Sequence, residues 1–230
     1  MVAKDRPRVL LSWSGGKDAA WALQTLRAAG DTDVLALVTA VVPAFDRIAM
    51  HGVRTELIRA QARAAGLPLL EVPLPWPCPN ELYETAFLAG LAGARATWSI
   101  THVAFGDLFL TDIRAYRERL LDGSGLAPLF PLWELPTDRL LAAMLAGGLR
   151  ARIVCLDPAR VDRRFAGREL DAATVAELPA EVDPCGERGE FHTFVTDGPM
   201  LADCVSVEPG EVVERDGFVY ADLLPAGAHV

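Results

Sequence analysis

The stretch SWSGGKD, residues 12–18, places small, hydroxyl, cationic and acidic side chains between an apolar run and a helical pattern. A glycine-rich turn that follows a strand and opens a helix directs backbone N–H groups and the helix dipole toward an anion. Gly15 and Gly16 would let phosphate oxygens approach the main chain, and Lys17 adds a mobile positive charge. Ser14 could cap the helix or donate its hydroxyl group. The stretch predicts a phosphate-binding loop, and the alternative is a Gly-Gly turn capped by a serine.

A second group of reactive side chains lies in DPCGERGEFHT, residues 183–193, which holds three carboxylates, an imidazole and a thiol. If this segment is a strand, its period of two puts Glu190 and His192 on one face. Such a pair could bind or deprotonate an amine, with Glu187 close by. We expect a binding or structural role for Cys185, because its neighbours are mostly acidic and a reactive thiolate is favoured by cations. The alternative is an acidic surface hairpin.

Four further residues could take part in binding or catalysis, or could have an ordinary structural role. Asp107 could orient a substrate or hold magnesium, or could only cap a helix. Arg114 could clamp a phosphate or carboxylate with its planar fork, or could lie on a solvated helix face. His51 could be a lid or adenine-side group, although a lone histidine is more often structural. Trp133 is a core aromatic or lines the substrate pocket.

The loop has neither the Walker A spacing nor the GxGxxG fingerprint. SGGKDA instead resembles the pyrophosphate loop SGGxDS of the ATP-adenylating superfamily, which includes argininosuccinate synthetase, GMP synthetase and tRNA thiolation enzymes. This resemblance implies cleavage of ATP between its α and β phosphates. The superfamily motif usually closes with Ser or Thr, whereas this chain has Ala19, so one hydroxyl contact to phosphate is lost.

Three later motifs, FGDLFLTDIRAYRERL, PLFPLW and CGERGEFHT, narrow the resemblance. Together with SGGKDA they resemble the diphthine ammonia ligase family, whose members carry GD[IL] with a downstream Arg, then PLW, then CGExGE[FY]HT. The resemblance spans residues 9–199 and implies an ATP- and Mg²⁺-dependent ligase. In that chemistry a carboxylate attacks the α phosphate, pyrophosphate leaves, and ammonia displaces AMP to give an amide.

The resemblance and the residue types together define the expected site. Catalytic roles are expected for Lys17, Asp107, Glu187, Glu190 and His192. Nucleotide binding is expected for Ser12, Ser14, Gly15, Gly16, Lys17, Asp18, His51 and Gly106, with Asp18 also as the Mg²⁺ ligand. Substrate contacts are expected for Arg114, Trp133, Cys185, Gly186 and Thr193.

The elements that must position these residues alternate between strand and helix in the first half of the chain. RVLLSW, DVLALVTAVV, PLLEVPL and ITHVAF each precede a helical pattern, which is typical of parallel strands joined by crossover helices. Helices are predicted over residues 18–29, from an Asn80 cap onward, and over residues 111–121. The expected fold is α/β, a Rossmann-like parallel sheet of the PP-loop ATPase type.

The pattern changes after LDGSGLAP, residues 121–128, which has the composition of a linker. Thr137 is the expected cap and Gly147 the expected end of one helix, and RARIVCL is a predicted strand. Asp197-Gly198 and Asp216-Gly217 predict two hairpin turns. We therefore expect a nucleotide-binding domain over residues 1–122 and a smaller, mixed α+β substrate-binding domain over residues 123–230.

The composition of the chain limits the classes of partner that we expect. With 31 acidic and 22 basic side chains among 230 residues the net charge is −9, which disfavours a dedicated DNA or RNA binder. The apolar run at residues 34–42 is too short for the roughly 20 residues of a membrane span, and the N-terminal residues lack a secretory signal, so a cytoplasmic protein is expected. The four cysteines lack metal-binding spacing. A homodimer is among the expected assemblies.

The sequence does not identify the acid that is amidated. The family's substrate is the diphthine side chain of eukaryotic and archaeal elongation factor 2, but bacteria lack diphthamide, and the Ala, Leu and Arg content suggests a GC-rich genome. The alternatives are an amidating or nucleotidyl-transferring enzyme that acts on a small metabolite, and an ATP or AMP sensor without turnover. A tRNA thiolation enzyme would need paired cysteines and a basic surface.

Overall fold

The computed structural model describes residues 6–49 and 51–227. Its first sheet contains β1 (Arg8–Ser12), β2 (Asp33–Val42), β3 (Arg47–Ile48), β4 (Leu69–Pro73), β5 (His102–Ala104) and β6 (Ala127–Leu129). Five of these strands run parallel in the order β4, β2, β1, β5, β6, and the short β3 pairs antiparallel with the end of β2. The parallel Rossmann-like sheet predicted from the alternating pattern is confirmed.

The second sheet is antiparallel and comes from the last third of the chain. It contains β7 (Arg150–Leu156), β8 (Phe191–Asp197), β9 (Val207–Arg215) and β10 (Phe218–Pro225) in the order β8, β7, β10, β9. The helices are α1 (Lys17–Ala29), α2 (Thr55–Ala64), α3 (Asn80–Trp98), α4 (Thr111–Leu121), α5 (Thr137–Ala146) and α6 (Ala172–Glu177). This second unit is the expected mixed α+β one.

Alternating side chains of β1 pack into two different apolar cores. Leu10 joins the cluster formed with α3 and α4, which includes Phe87 and Leu91. Val9 and Leu11 join a larger cluster that also holds buried residues of α1, α2 and the second sheet, such as Phe194. Burial of both faces of β1 explains its continuous apolar sequence. Because the larger core includes residues of both sheets, the second sheet packs directly against the side of the first that carries α1 and α2.

Several local predictions are confirmed at their exact positions. The helix predicted over residues 111–121 and the strand RARIVCL have the observed bounds. Asp216 and Gly217 both have positive φ, 52° and 82°, which makes the β9–β10 connection the predicted tight hairpin.

Other local predictions are wrong. Asp197-Gly198 forms no hairpin, because β8 pairs with β7 and not with the following β9, and the N–H of Gly198 bonds the Asp197 side chain instead. Asn80 and Thr137 are the first residues inside their helices, each after a proline that occupies the cap position. Proline fixes an extended entry into the helix without offering a side-chain acceptor. Ser14 does not occupy the cap position of α1, which belongs to Gly16.

The domain boundary at residue 122 stays a prediction. Strand β6, at Ala127–Leu129, lies beyond that position and within the segment read as a linker, yet it pairs with β5 in the first sheet. Across the described ranges, no helix combines the length and the apolar character that a bilayer crossing requires.

Candidate active site

The SGGKD loop leaves the carboxyl end of β1 and enters α1, as the sequence predicts. Gly15 of this loop and Gly106, which follows β5, have structural reasons beyond access for a ligand. Gly15 has φ of 76°, and a Cβ there would lie 2.5 Å from Ile58 Cδ1 and 2.7 Å from Gln61 Oε1. At Gly106, a Cβ would lie 2.9 Å from the main chain of Asp18. Glycine at both positions therefore allows α2 and the end of β5 to pack closely against the loop.

Gln61, which the sequence analysis did not include in the site, joins the loop to the second sheet. Its side chain is fully buried, accepts a hydrogen bond from Trp13 Nε1 at 2.9 Å, and donates to the carbonyl oxygens of Gly15 and Val195 at 3.0 and 2.6 Å. The N–H of Val195 donates in turn to the Gly15 carbonyl oxygen at 2.9 Å. The signal in the sequence was a glutamine on the apolar face of α2.

We expect Gln61→Leu to destabilise the fold, because it leaves the buried indole N–H of Trp13 without its acceptor. Each unsatisfied buried group costs about 1–3 kcal/mol, so a loss of about 3 kcal/mol is expected for the whole network. Urea unfolding followed by circular dichroism would measure this loss. Gln24→Leu on the partly exposed face of α1 is the matched control, and equal effects of the two substitutions would contradict the role of Gln61.

Lys17 is the buried cation of the site, with a side chain only 2% exposed. Its Nζ donates to Asp18 Oδ2 at 2.8 Å and to the backbone carbonyl oxygen of Cys185. Burial lowers the pKa of Lys17, but Asp18, Cys185 and Glu187 together outweigh burial and raise that pKa above its usual value. Lys17 is therefore charged at neutral pH. Its contact with the Cys185 carbonyl oxygen joins the phosphate loop to the segment at residues 183–193.

The N–H groups of the loop are bonded to hydroxyl oxygens. The N–H of Gly16 donates to Ser14 Oγ at 3.3 Å, and the N–H of Lys17 donates to Thr193 Oγ1 at 3.1 Å. Hydroxyl oxygens accept hydrogen bonds in the geometry that phosphate oxygens also use. Thr193, predicted as a substrate contact, is thus placed against the loop itself, at the predicted phosphate site.

Residues 183–190 form a compact loop that is held by two of its own carboxylates. Asp183 Oδ1 accepts from the N–H groups of Cys185 and Glu187 at 2.9 and 3.3 Å. The two oxygens of Glu190 accept from the N–H groups of Asp183 and Arg188 at 3.1 and 2.8 Å. The prediction that Glu190 shares a face with His192 is wrong, because β8 begins only at Phe191. Glu190 is buried inside the loop and does not line the cavity described below.

A cavity of about 70 Å³ lies where the phosphate loop meets the segment at residues 183–193. Two imidazoles line it, and the rings of His51 and His192 stack with centroids 4.3 Å apart. Burial lowers the pKa of His192 to about 4, and burial with the neighbouring His192 and Lys17 lowers that of His51. Both rings are therefore neutral at pH 7. The other lining residues are Ser14, Gly16, Lys17, Asp18, Cys185, Gly186, Glu187, Phe191 and Thr193.

Glu187 is the acidic group of this cavity whose protonation changes near neutrality. Burial raises its pKa to about 7, against the opposing effect of the Leu108 N–H, which donates to Glu187 Oε1 at 2.8 Å. A carboxylate with a pKa near 7 can both take up and release a proton under working conditions. Cys185 cannot serve as a nucleophile here, because burial raises the pKa of its thiol to about 12.

The raised pKa of Glu187 predicts a pH dependence of stability. The folded state binds the Glu187 proton more tightly than the unfolded state does, so this group's stabilising contribution falls as pH rises from about 4.5 to about 7. Relative to Glu187→Gln, which carries no titrating group there, the native protein should lose stability between pH 5 and pH 8. Urea unfolding of both proteins at the two values tests this. A constant difference between them would contradict the raised pKa.

Two buried carboxylates near the loop, Asp18 and Asp107, are the candidates for holding Mg²⁺. Asp18 Oδ1 and Asp107 Oδ2 are buried and accept no hydrogen bond. Burial raises the pKa of Asp107, whose nearest cation is Arg117 at 3.6 Å. Magnesium usually takes one or two protein carboxylates and completes its shell with phosphates and water. The part of the chain that the structure describes contains no group of three or more acidic, histidine or cysteine side chains set to hold a metal.

Several predicted residues are not brought to this cavity. The Arg114 guanidinium lies 4.7 and 4.9 Å from the ring centroids of Trp133 and Phe130, and it pairs with Glu118 at 2.8 Å. Arg114 and Trp133 therefore make a cation–π contact with each other, and neither lines the cavity. Ser12 ends β1, and Gly106 serves the close approach of β5 to α1.

Comparison with known proteins identifies both halves of the chain. Residues 7–128 match the family model described as the diphthamide synthase N-terminal domain, and residues 137–221 match the diphthamide synthase C-terminal domain. A diphthine–ammonia ligase of Schizosaccharomyces pombe is 30% identical over 117 residues, which are 49% of this chain and 19% of that protein. The Homo sapiens protein of the same name is 30% identical over 120 residues, 50% of this chain and 45% of that protein.

These matches cover less than half of the length of each of these relatives. The two family models, by contrast, cover nearly all of this chain, and they place the phosphate loop in the first domain and the CGERGEFHT segment in the second. The resemblance read from the four motifs is thereby confirmed, and the chain belongs to the diphthamide synthase domain family.

Proposed function

We propose that the protein is an ATP-dependent ligase that converts a carboxylic acid and ammonia into an amide, with release of AMP and pyrophosphate. The observation that carries this proposal is the enclosure of Lys17 and Glu187, a buried cation and a carboxylate of pKa about 7, in one cavity at the end of β1. The name of the relatives, diphthine–ammonia ligase, supports the reaction class.

In the proposed reaction the SGGKD loop binds the phosphates of ATP. Lys17 Nζ exchanges its bonds to Asp18 and the Cys185 carbonyl oxygen for phosphate oxygens, and the loop N–H groups exchange the hydroxyls of Ser14 and Thr193 in the same way. A cation fixed in a buried site stabilises the charge that develops on the leaving pyrophosphate. Asp18 and Asp107 would hold Mg²⁺, which supplies further charge neutralisation at the phosphates.

Glu187 is the proposed base for the second half of the reaction. Ammonium must lose a proton before its nitrogen can attack the activated carboxyl group, and a carboxylate of pKa about 7 is suited to accept it. Neutral His192 and His51 can orient the substrate by hydrogen bonds without adding charge beside Lys17. The amide forms as the nitrogen displaces AMP, so that one acid oxygen leaves on the AMP phosphate.

The acid itself is proposed only as a class, a carboxylic acid, with diphthine as the substrate named for the relatives. Purified protein incubated with ATP, Mg²⁺, ammonium and pooled acids should release AMP and pyrophosphate in equal amounts, dependent on both the acids and the ammonium. ADP and phosphate as the main products would overturn the proposal. Tight ATP binding without any acid-dependent turnover would instead support a nucleotide sensor.

A further inference from the structure

A second, much larger cavity lies beside the site and has no part in the chemistry described so far. Its volume is about 760 Å³, within the range of roughly 300–1,000 Å³ typical of sites for small organic ligands. It opens between the β2–β3 hairpin of the first sheet and strands β7, β9 and β10 of the second. Its apolar walls include Val42, Ile48, Val154, Val213 and Leu223.

The large cavity meets the phosphate-loop cavity at His51, which lines both. The ring of His51 stacks on His192, and its Nδ1 is buried with no hydrogen-bond partner. Next to it, Gly52 has φ of 67°, and a Cβ there would lie 3.0 Å from the ring of Tyr220, so the backbone is held against this wall of the cavity. The two cavities therefore adjoin at the His51 ring.

Aromatic side chains define the mouth of the large cavity. Phe45 and Trp76 are 48% and 63% exposed, and their rings pack edge to face with centroids 5.4 Å apart. Tyr220 lies on the opposite sheet and also lines the cavity. Covering such exposed rings is favourable in proportion to the apolar area removed from water, so this mouth favours a ligand with a bulky apolar body.

The charged side chains that line the cavity balance one another, Arg47 and Arg215 against Asp216 and Asp222. Asp222 accepts hydrogen bonds from both Arg47 and Arg54, at 2.8 and 2.7 Å, so one carboxylate is shared by two guanidinium groups. Of these three residues, Arg47 and Asp222 line the cavity. Arg47 and Asp222 are already bonded to each other. Their side chains are therefore not free to make the directed hydrogen bonds that recognise the edge of a purine. The lining thus suits an apolar body better than the nucleoside of ATP.

We infer that this cavity binds the body of the acid substrate, and that the acid is one with a bulky aromatic or branched apolar group. The inference rests on the proposed function for the identity of the reaction, since it assigns the partner of ATP in that reaction. The carboxyl end of the acid lies toward His51 and His192, where the phosphate loop can present the α phosphate to it. The apolar body lies among Phe45, Trp76 and Tyr220.

The test uses the fluorescent aromatic anion 1-anilinonaphthalene-8-sulfonate as a probe. Phe45→Ala and Trp76→Ala should each weaken probe binding about tenfold, as expected for the loss of one buried aromatic contact. Leu82→Ala, which removes an apolar side chain of similar exposure on α3 outside the cavity, should leave it within about twofold. ATP with Mg²⁺ should bind all of these proteins equally and should not displace the probe.

The acid that supports AMP release from the pool should displace the probe. Equal probe binding by all variants, or failure of that acid to compete with the probe, would overturn the inference. The proposed function would still stand in that case, provided that the native protein releases AMP in the presence of the acid. Competitive displacement by ATP would assign the cavity to the nucleoside and would also overturn it. Absence of acid-dependent AMP release from the native protein overturns the proposed function and the acid assignment together, and the probe titration then reports only on binding of apolar anions.

Discussion

Lys17→Met should reduce both ATP binding and AMP release by at least about a hundredfold. The side chain is 2% exposed and supplies the cation that lines the cavity of the phosphate loop. Methionine keeps an unbranched chain of similar length but offers no charge to a phosphate oxygen. Calorimetric titration with ATP and Mg²⁺ would measure the binding, and product chromatography would measure the release of AMP.

The control for this substitution is Arg150→Met, which removes an exposed cation of β7 that pairs with Glu169. It should bind ATP as the native protein does. Circular dichroism of Lys17→Met would verify its fold, because Asp18 loses its partner in that variant. A folded Lys17→Met protein with native ATP affinity would show that the loop is not the phosphate site.

Glu187→Gln should lower the rate of amide formation by about a hundredfold to ten-thousandfold, which is typical of the loss of a positioned base. ATP binding should change little, because the amide keeps an oxygen that can accept from the Leu108 N–H. The native rate should rise with pH and level off above about 7, as the Glu187 carboxylate becomes ionised. In the Glu187→Gln variant this rise of the rate with pH should be absent. A native rate and pH profile in Glu187→Gln would assign the base to another group.

The fold was predictable from the sequence where a local pattern decides the structure. The SGGKD turn lies between β1 and α1, and helix α4 and strand β7 have their predicted bounds, because apolar periodicity and a glycine-rich turn are local properties. The sequence could not show which strands are neighbours. The Asp197-Gly198 turn has hairpin composition, but the pairing of β8 with β7 is decided by packing between distant segments.

The site was predictable as a set of motifs, and the geometry within it was not. The loop and the CGERGEFHT segment meet, with Lys17 bonded to the Cys185 carbonyl oxygen. Strand alternation alone could not distinguish Glu187 from Glu190, because the loop that precedes β8 turns Glu190 onto its own backbone. The link through Gln61 depends on a contact between α2 and β8 that no spacing in the sequence indicates.

The central claim is that the protein joins an acid to ammonia through an acyl adenylate. The most direct test is to give it an acid that supports AMP release, labelled with ¹⁸O in both carboxyl oxygens, together with ATP, Mg²⁺ and ammonium, and to analyse the AMP by mass spectrometry. The proposed mechanism predicts one ¹⁸O atom in the AMP phosphate and one in the amide, because the attacking oxygen leaves with AMP. Unlabelled AMP, with the label in inorganic phosphate or retained in the acid, would contradict it.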